Sequence, residues 1–509
     1  MTMQANFSRL QQIITELAPF AAGWLVVTVI LFGGLIICFR LYRSGKRVLI
    51  FPGNLVVLFL IVTTFLLPLE IFFRFFYDTT DNFALATTHR WVARHVVYNS
   101  LNFRDREFSG LKDEGVVRIG VIGDSFTYGQ GINDVQNRLT NMLENRLRDQ
   151  KVEIYNLGRV GASTRDQMSN LVSLQDPIAQ FDFDALLLVY VLNDIDGDMA
   201  IRRLYLDDPF FIVRRREPIK AIFDHSFALE FLLFRASAIY HDISRSKNTE
   251  AIAAYHNQHD WEEHQKTFLM LKEFAEATQT PLAVVVFPFV HALEDPSVIA
   301  VHEQLAAFFS RFKIPFLDLR QTLLNEPPGS LTVGRFDVHP NEKANALAVA
   351  PMIDFLFSKD LLRPRATFPS LKHGVLQHLR FETMINSTFL KTTDGQKWKL
   401  FGLEKRCQAD LPPLSNIIAP NTPITISAAD ETRPNDGVFV WFDVAHETKQ
   451  SLNETLLREG IAMPARMNYT MTDAIRMFGS AWQARLDGKG IWRTCSFSEL
   501  FPETDVYTR

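Results

Sequence analysis

Two long apolar runs open the chain. Residues 20–39 carry no charged side chain, and about 20 such residues, each rising 1.5 Å along a helix, cross a bilayer core. A second run, from about residue 48 to 69, is interrupted only near its start by Pro52, Gly53 and Asn54 and closes on Glu70 and Arg74, one helical turn apart. The pattern predicts transmembrane helices at 20–39 and 50–76. From residue 116 the rhythm changes. Short apolar, β-rich runs at 117–122, 152–155, 185–191, 282–287 and 315–319 alternate with stretches of helical periodicity such as 136–149 and 261–278. That alternation predicts βαβ units building a parallel sheet with helices on both faces, a three-layer α/β/α domain. Residues of about 200–260 break the pattern with Arg214-Arg215-Arg216, several aromatics and no clear strand. A helical insertion is expected there, either a solvated excursion or a cap over the strand ends. A proline-containing segment near 363–369 marks a boundary. Beyond it come a hairpin at 393–404, a strand at 437–443, and helices at 451–462 and across 481–492.

Composition sharpens this picture in three places. A chain of 509 residues exceeds one compact core and implies about three units at roughly 150 residues each. The content of 47% hydrophobic and 22% charged residues, with a mean hydropathy of +0.01, is that of a globular protein, so membrane character is confined to the N-terminal runs. A net charge of −4 leaves no excess cation to neutralise a phosphate backbone, and no nucleic-acid partner is expected. The connection 40–49 holds Arg40, Arg43, Lys46 and Arg47, whereas the tail 1–19 offers only Arg9. Short basic loops stay in the cytoplasm, so the tail and everything after residue 76 are expected outside it. In a bacterial inner membrane that means the periplasm. Of three cysteines, Cys38 lies in the first span, and Cys407 and Cys495 either pair or stay separate and buried. No cysteine and histidine spacing suggests a structural zinc site.

Candidate chemistry begins at Val121-Ile-Gly-Asp-Ser-Phe-Thr-Tyr-Gly129, which puts Ser125 just after a predicted strand and before a helix, where α/β proteins build sites. Gly-Asp-Ser alone is common in turns. Three further blocks follow at successive strand ends: Asn156-Leu-Gly-Arg-Val-Gly161, Val191-Leu-Asn-Asp194 and Asp337-Val-His-Pro-Asn341. Together, in this order, they resemble the four blocks of the SGNH/GDSL hydrolase family over roughly residues 116–357. The resemblance implies a flavodoxin-like sheet, with Ser125 as nucleophile and His339 as general base. It also implies an oxyanion hole formed by the backbone N–H groups of Ser125 and Gly161 and the side-chain amide of Asn193. The chemistry suits these residues: histidine titrates near neutral pH, and an asparagine amide donates without titrating. The family places an aspartate three residues before the histidine, where this chain has Phe336. Asp337, two residues before, is the candidate orienting acid, unless another acceptor does that work.

The C-terminal part resembles the staphylococcal-nuclease-like OB domain, through Asn453-Glu-Thr-Leu-Leu-Arg-Glu-Gly-Ile-Ala462 and the pattern from Ala481 to Trp492. Positions corresponding to that family's acidic cluster and two arginines appear as Lys399, Glu404, Lys405, Cys407 and Asp436. Lysine lacks the guanidinium fork and an acid repels phosphate, so no nuclease activity is expected. Either a glycan-binding or protein-docking module, or a domain that merely covers the hydrolase flank, is expected instead.

The expected organisation is therefore a tail (1–19), two spans (20–39, 50–76) around a basic loop (40–49), and a connector (77–110). An SGNH domain (111–362), a linker (363–380) and an OB-like β-barrel domain (381–509) follow. The expected activity is a membrane-anchored serine O-acyl esterase or O-acyltransferase. Its substrate would be a cell-envelope polysaccharide or acylated glycan, with acetyl as the expected acyl group and a membrane-bound acyl donor as a candidate partner. The chemistry requires neither metal nor organic cofactor. A non-catalytic glycan-binding or assembly subunit is the alternative from another class, and a lipid esterase or thioesterase is a third.

Overall fold

The computed structural model describes residues 2–44, 50–81, 86–173, 181–195, 226–240, 243–327, 329–365, 374–407, 417–428, 437–442 and 451–502. Lys46 and Arg47 of the basic loop, Arg214 to Arg216 of the insertion, and Asp436 lie outside them. The chain packs as two compact units, one comprising Met1–Val96, Asp198–Asn248 and Thr332–His339, the other Val97–Gly197, Thr249–Leu331 and Pro340–Arg509.

The first unit is helical. Its first helix, Thr2–Arg43, begins far earlier than the charge-free run at 20–39. The expected tail is helical because residues 2–18 contain neither glycine nor proline, and a helix does not require its residues to be apolar. The second helix, Ile50–Ile71, runs into one π-helical turn, Phe72–Phe76. Pro68 lies inside it; proline supplies no N–H to the ladder, and the widened turn follows directly. Both helices are long and apolar enough to cross a membrane, over Ile13–Arg43 and Gly53–Phe76. Side chains such as Leu25, Ile30 and Phe65 are exposed rather than packed, which is not how core helices behave. Glu70, buried at the end of the second helix, pairs with Arg74 at 2.7 Å. It also accepts hydrogen bonds from Ser226 Oγ (2.8 Å) and the N–H groups of Phe227 (3.0 Å) and Ala228 (2.9 Å), capping the helix Phe227–Tyr240. That helix caps another in turn, since Glu230 accepts from the N–H of Ala86 (2.7 Å), first residue of the helix Ala86–His95.

The second unit contains the expected parallel sheet. Its strands are β1 (Val117–Gly123), β2 (Val152–Gly158), β3 (Ala185–Tyr190), β4 (Leu282–Val286) and β5 (Phe316–Asp318), in the order β2-β1-β3-β4-β5. This is the doubly wound order that the flavodoxin-like expectation requires. Strands β1, β3 and β4 are buried throughout, as a sheet covered on both faces demands. In register, Ile119 lies between Ile154 and Ala185, so the carboxyl ends of β1, β2 and β3 finish level. Helices Thr164–Val172, Gln258–Ala277, Pro296–Arg311 and Glu342–Ser358 form the outer layers, each begun by a side-chain cap from Ser163, Asn257, Asp295 and Asn341 respectively.

The segment expected as a linker is not loose where it is described. Arg365 donates through its N–H to Asp184 (2.6 Å) and through its guanidinium to Asp182 (2.7 Å) and the carbonyl of Thr278 (2.6 Å). The next strand starts at Gly374, inside the expected linker. Strands β6 (Gly374–Asn386), β7 (Phe389–Thr392) and β8 (Lys397–Lys399) form a meander, with β9 (Leu403–Glu404) just beyond. The hairpin expected at 393–404 begins earlier, at β7, and its β7–β8 turn contains Asp394-Gly395, where Gly395 takes a φ of 89° that favours glycine. With β10 (Pro423–Ala428) and β11 (Val438–Phe442) they make an antiparallel sheet in the order β11-β10-β6-β7-β8. A lone parallel bridge joins Leu400, just past β8, to Val438 at the other edge.

Helix Met471–Leu486 fastens this module to the α/β part, and helix Leu452–Arg458 packs against it. Trp482 Nε1 donates to Ser169 Oγ (2.8 Å), and a β-carbon on Gly479 would sit 2.7 Å from the Val172 carbonyl. Nη1 of the buried Arg406 donates to both oxygens of Glu273, at 2.8 and 2.9 Å. Cys407 and Cys495, whose pairing the sequence left open, form a disulfide; Cys38 is free.

Candidate active site

The turn after β1 places Ser125 at the first position of the short helix Ser125–Tyr128. Asp124 caps that helix through Oδ1, which accepts the N–H of Phe126 (2.8 Å). Its other oxygen, Oδ2, accepts from Ser125 Oγ (3.2 Å) and from Asn193 Nδ2 (3.1 Å). One fully buried carboxylate thus gathers the candidate nucleophile and the candidate amide donor. Close packing under the turn needs small residues: a β-carbon on Gly158 would lie 2.5 Å from the Tyr128 nitrogen.

The second block is held by Asn156, which donates to the Thr127 carbonyl (2.6 Å) and accepts from the N–H of Gly158 (2.9 Å). The N–H of Arg159 donates to the Gly123 carbonyl (3.1 Å), fixing the loop that leads to Gly161 beside the Ser125 turn. Gly161 adopts a φ of 72°, and a β-carbon there would meet no heavy atom within 4 Å, so backbone conformation rather than crowding favours glycine. Asn193 sits in the 3₁₀ turn Leu192–Asp194 after β3. Asp194 closes that turn by accepting from the N–H of Val191 (3.3 Å) and from Gln167 Nε2 (3.2 Å). Behind it, Tyr255 donates to the Leu192 carbonyl (3.1 Å) and bonds Tyr190, which reaches buried His264 at 2.8 Å.

Two buried arginines secure the chain beyond the short helix. Arg104 donates to the carbonyls of Gly129 (2.5 Å) and Ile132 (2.7 Å), and Arg138 donates to the Arg104 carbonyl and pairs with Asp105 at 3.2 Å. Burial, aided by the neighbouring Arg138 cation, pulls Arg104 down to about 10. Burial likewise raises Tyr128, whose hydroxyl meets that of Tyr98 at 2.9 Å.

Asp337 and His339 are brought together in the other unit. Asp337 Oδ1 accepts from the His339 N–H (3.1 Å) and from its ring Nδ1. The two-residue spacing works because this is an Asx turn: an aspartate side chain folds back on the N–H two residues on, carrying the imidazole with it. Phe336, which stands where the family has its acid, turns elsewhere, with its ring 5.8 Å from that of Phe234 and under the Arg235 guanidinium at 4.4 Å. Sequence reasoning assigned no role to Asp124, although it lies inside the Ser125 motif, and had no signal for the partners of Phe336, which are distant in sequence.

The positions expected to match the nuclease site have structural surroundings. Glu404 pairs with Arg406 at 3.1 Å, Cys407 is in the disulfide, and Lys399 ends β8. Among the described residues no group of three or more His, Cys, Asp or Glu side chains could hold a metal ion.

Residues 121–347 match the GDSL-like Lipase/Acylhydrolase family, a span that includes all four blocks singled out in the sequence. The chain matches no curated protein sequence. It is similar to the crystal structure of a member of the lipolytic protein G-D-S-L family from Veillonella parvula DSM 2008, at 17% identity over 47% of this chain and 97% of that one, TM-score 0.28. It is also similar to a putative lipolytic protein of the same family from Desulfitobacterium hafniense DCB-2, at 15% identity over 47% and 99%, TM-score 0.28. A third similar structure is a two-domain esterase active on acetylated mannans, at 12% identity over 55% and 61%, TM-score 0.30. Likeness at this level assigns no activity to the chain.

Proposed function

We propose that the chain is a membrane-anchored serine O-acyl esterase or acyltransferase. Ser125 is the nucleophile, His339 the general base and Asp337 its orienting acid, with Ser125 N–H, Gly161 N–H and the Asn193 amide as oxyanion donors. The observation that carries this reading is the hydrogen bond from His339 Nδ1 to the buried Asp337, which leaves Nε2 as the nitrogen that exchanges protons. In the first step the Ser125 hydroxyl attacks an ester carbonyl and passes its proton to Nε2. The tetrahedral oxyanion then collapses, the alcohol leaves with that proton, and the acyl group stays on Ser125. Water or a second hydroxyl completes the cycle by the same route in reverse.

The substrate proposed is an O-acyl, in particular O-acetyl, group on a cell-envelope polysaccharide. The two apolar helices and the disulfide support a chain held at a membrane with its hydrolase domain outside the cytoplasm. The C-terminal sheet, with its Leu400–Val438 bridge linking both edges, supports an OB-like barrel, and we assign it glycan binding or docking without nuclease chemistry. A purely non-catalytic binding role would fit if Phe336 separated His339 from every acid; its packing against Phe234 and Arg235 removes that ground.

Labelling of the detergent-solubilised full chain with a fluorophosphonate probe tests the reading. Wild type should label, and Ser125→Ala and His339→Ala should not. Equal labelling of all three, or none in folded wild type, would refute it. Release of acetate from acetylated polysaccharide, with and without an acceptor glycan, then separates hydrolysis from transfer.

A further inference from the structure

The loop that holds Asp337 and His339 belongs to the unit of the N-terminal helices. Asp81 is at the centre of that packing. Its Oδ1 accepts two consecutive backbone N–H groups, those of Phe336 (2.6 Å) and Asp337 (2.8 Å), while Arg235 Nη2 meets its Oδ2 at 2.7 Å. A β-carbon on Gly334 would lie 2.4 Å from Asp81 Oδ1, so the loop approaches this carboxylate as closely as glycine permits. The loop also closes on itself, through Gly334 N–H to the Asp337 carbonyl (3.0 Å) and Val333 N–H to the His339 carbonyl (2.9 Å).

Arg235 completes the clamp from the helix Phe227–Tyr240. Its guanidinium lies over the rings of Phe336 (4.4 Å) and Phe231 (4.8 Å), and Phe231 stacks on Phe73 at 4.3 Å, in the π-helical turn that ends the second apolar helix. Charge-assisted bonds to two successive amides fix the backbone from which the Asp337 side chain departs, and hence the orientation of the imidazole. A misplacement of about 1 Å at a reacting group is enough to cost roughly a hundredfold in rate.

We propose that Asp81 and Arg235 are positioning residues for the general base, coupling the His339–Asp337 pair to the end of the second apolar helix. This deepens the esterase reading and rests on His339 being the base. Asp81 and Arg235 offset one another across their 2.7 Å ion pair, so removing either leaves the other's charge unpaired beside the loop.

The test is p-nitrophenyl acetate hydrolysis by the full chain in detergent, with kcat and KM measured separately. The variants are Asp81→Asn, Arg235→Gln, Arg235→Lys and the Asp81→Asn/Arg235→Gln double, with Ser125→Ala and His339→Ala as controls. Asp81→Asn should lower kcat roughly tenfold with KM nearly unchanged. Arg235→Gln should lower kcat in the same way, and Arg235→Lys, which keeps the charge, should recover most of it. The double variant should be little slower than Asp81→Asn alone, because both side chains act through one loop. A folded Asp81→Asn with wild-type kcat, while both controls are dead, overturns the positioning role and leaves the esterase reading standing. Activity surviving in either control overturns both. If Asp81→Asn does not fold, Arg235→Gln decides: a fall in kcat at unchanged KM that Arg235→Lys recovers supports the proposal, and a wild-type kcat overturns it.

Discussion

Replacing Asp124 by asparagine probes how the candidate oxyanion donors are held. The carboxylate is fully buried and serves three donors: the Phe126 N–H on one oxygen, Ser125 Oγ and Asn193 Nδ2 on the other. An asparagine that keeps its oxygen on the Phe126 N–H turns its own NH2 toward the NH2 of Asn193. The opposite flip uncaps the helix. Either way one hydrogen bond to a charged acceptor is lost, a difference of about 1.5–3 kcal/mol. If Asn193 stabilises the oxyanion only when Asp124 holds it, the same energy is missing from the transition state. At about 1.4 kcal/mol per decade, kcat/KM should then fall roughly 10- to 150-fold. The assay is p-nitrophenyl acetate hydrolysis by the full chain, alongside Asn193→Ala, for which a loss on the order of 10²–10³ is expected. Because Asp124 acts through Asn193, the double variant should be no worse than Asn193→Ala alone. Losses that multiply would refute the orienting role, as would an Asp124→Asn protein with wild-type rates.

Three further outcomes are expected. Glu273→Ala should strand the buried Arg406 and lower stability against chemical denaturation by about 3–5 kcal/mol, whereas a loss below about 1 kcal/mol would make the pair equivalent to a surface contact. Burial alone would push the Arg406 pKa down; Glu273 and Glu404 outweigh it and raise the value, so the cation is retained at every accessible pH. Cys407→Ser with Cys495→Ser opens a closure spanning 88 positions, worth about 4–5 kcal/mol on loop entropy. In cells the wild-type pair should resist thiol blocking until a reductant is added, and recovery of free thiols would contradict an extracytoplasmic module. Tyr255→Phe removes the donor to the Leu192 carbonyl, about 1 kcal/mol, and should lower kcat about fivefold. An unchanged rate would mean that the Asp194 cap alone holds the Asn193 turn.

The parallel sheet was legible because strands buried on both faces read as continuous apolar runs, and four of the five boundaries fall within a residue or so of the pattern. Strand β2 runs three residues longer than its apolar core suggested, since Asn156 and Gly158 pair in register with Val121 and Gly123 despite their polarity or size. The start of the first helix was hidden because charge marks where a bilayer ends, not where a helix does. At the candidate site, motif order singled out Ser125, Gly161, Asn193 and His339, and the Asx turn explains how Asp337 reaches the His339 ring from two residues away. Asp81 and Arg235 were illegible for a different reason. They are 154 residues apart, and each touches the Phe336 loop only through tertiary packing, which no local spacing encodes.

The clamp on the base loop has a consequence for where this enzyme can act. A protease that cut the exposed stretch around Leu111 would shed a fragment retaining Ser125, Asn193 and even His339, but Asp81 would stay behind with the apolar helices. Such a fragment should turn over at least roughly tenfold more slowly than the intact chain. If the apolar helices span a membrane, activity and location are then governed by one and the same packing contact, and leaving the membrane weakens the hydrolase.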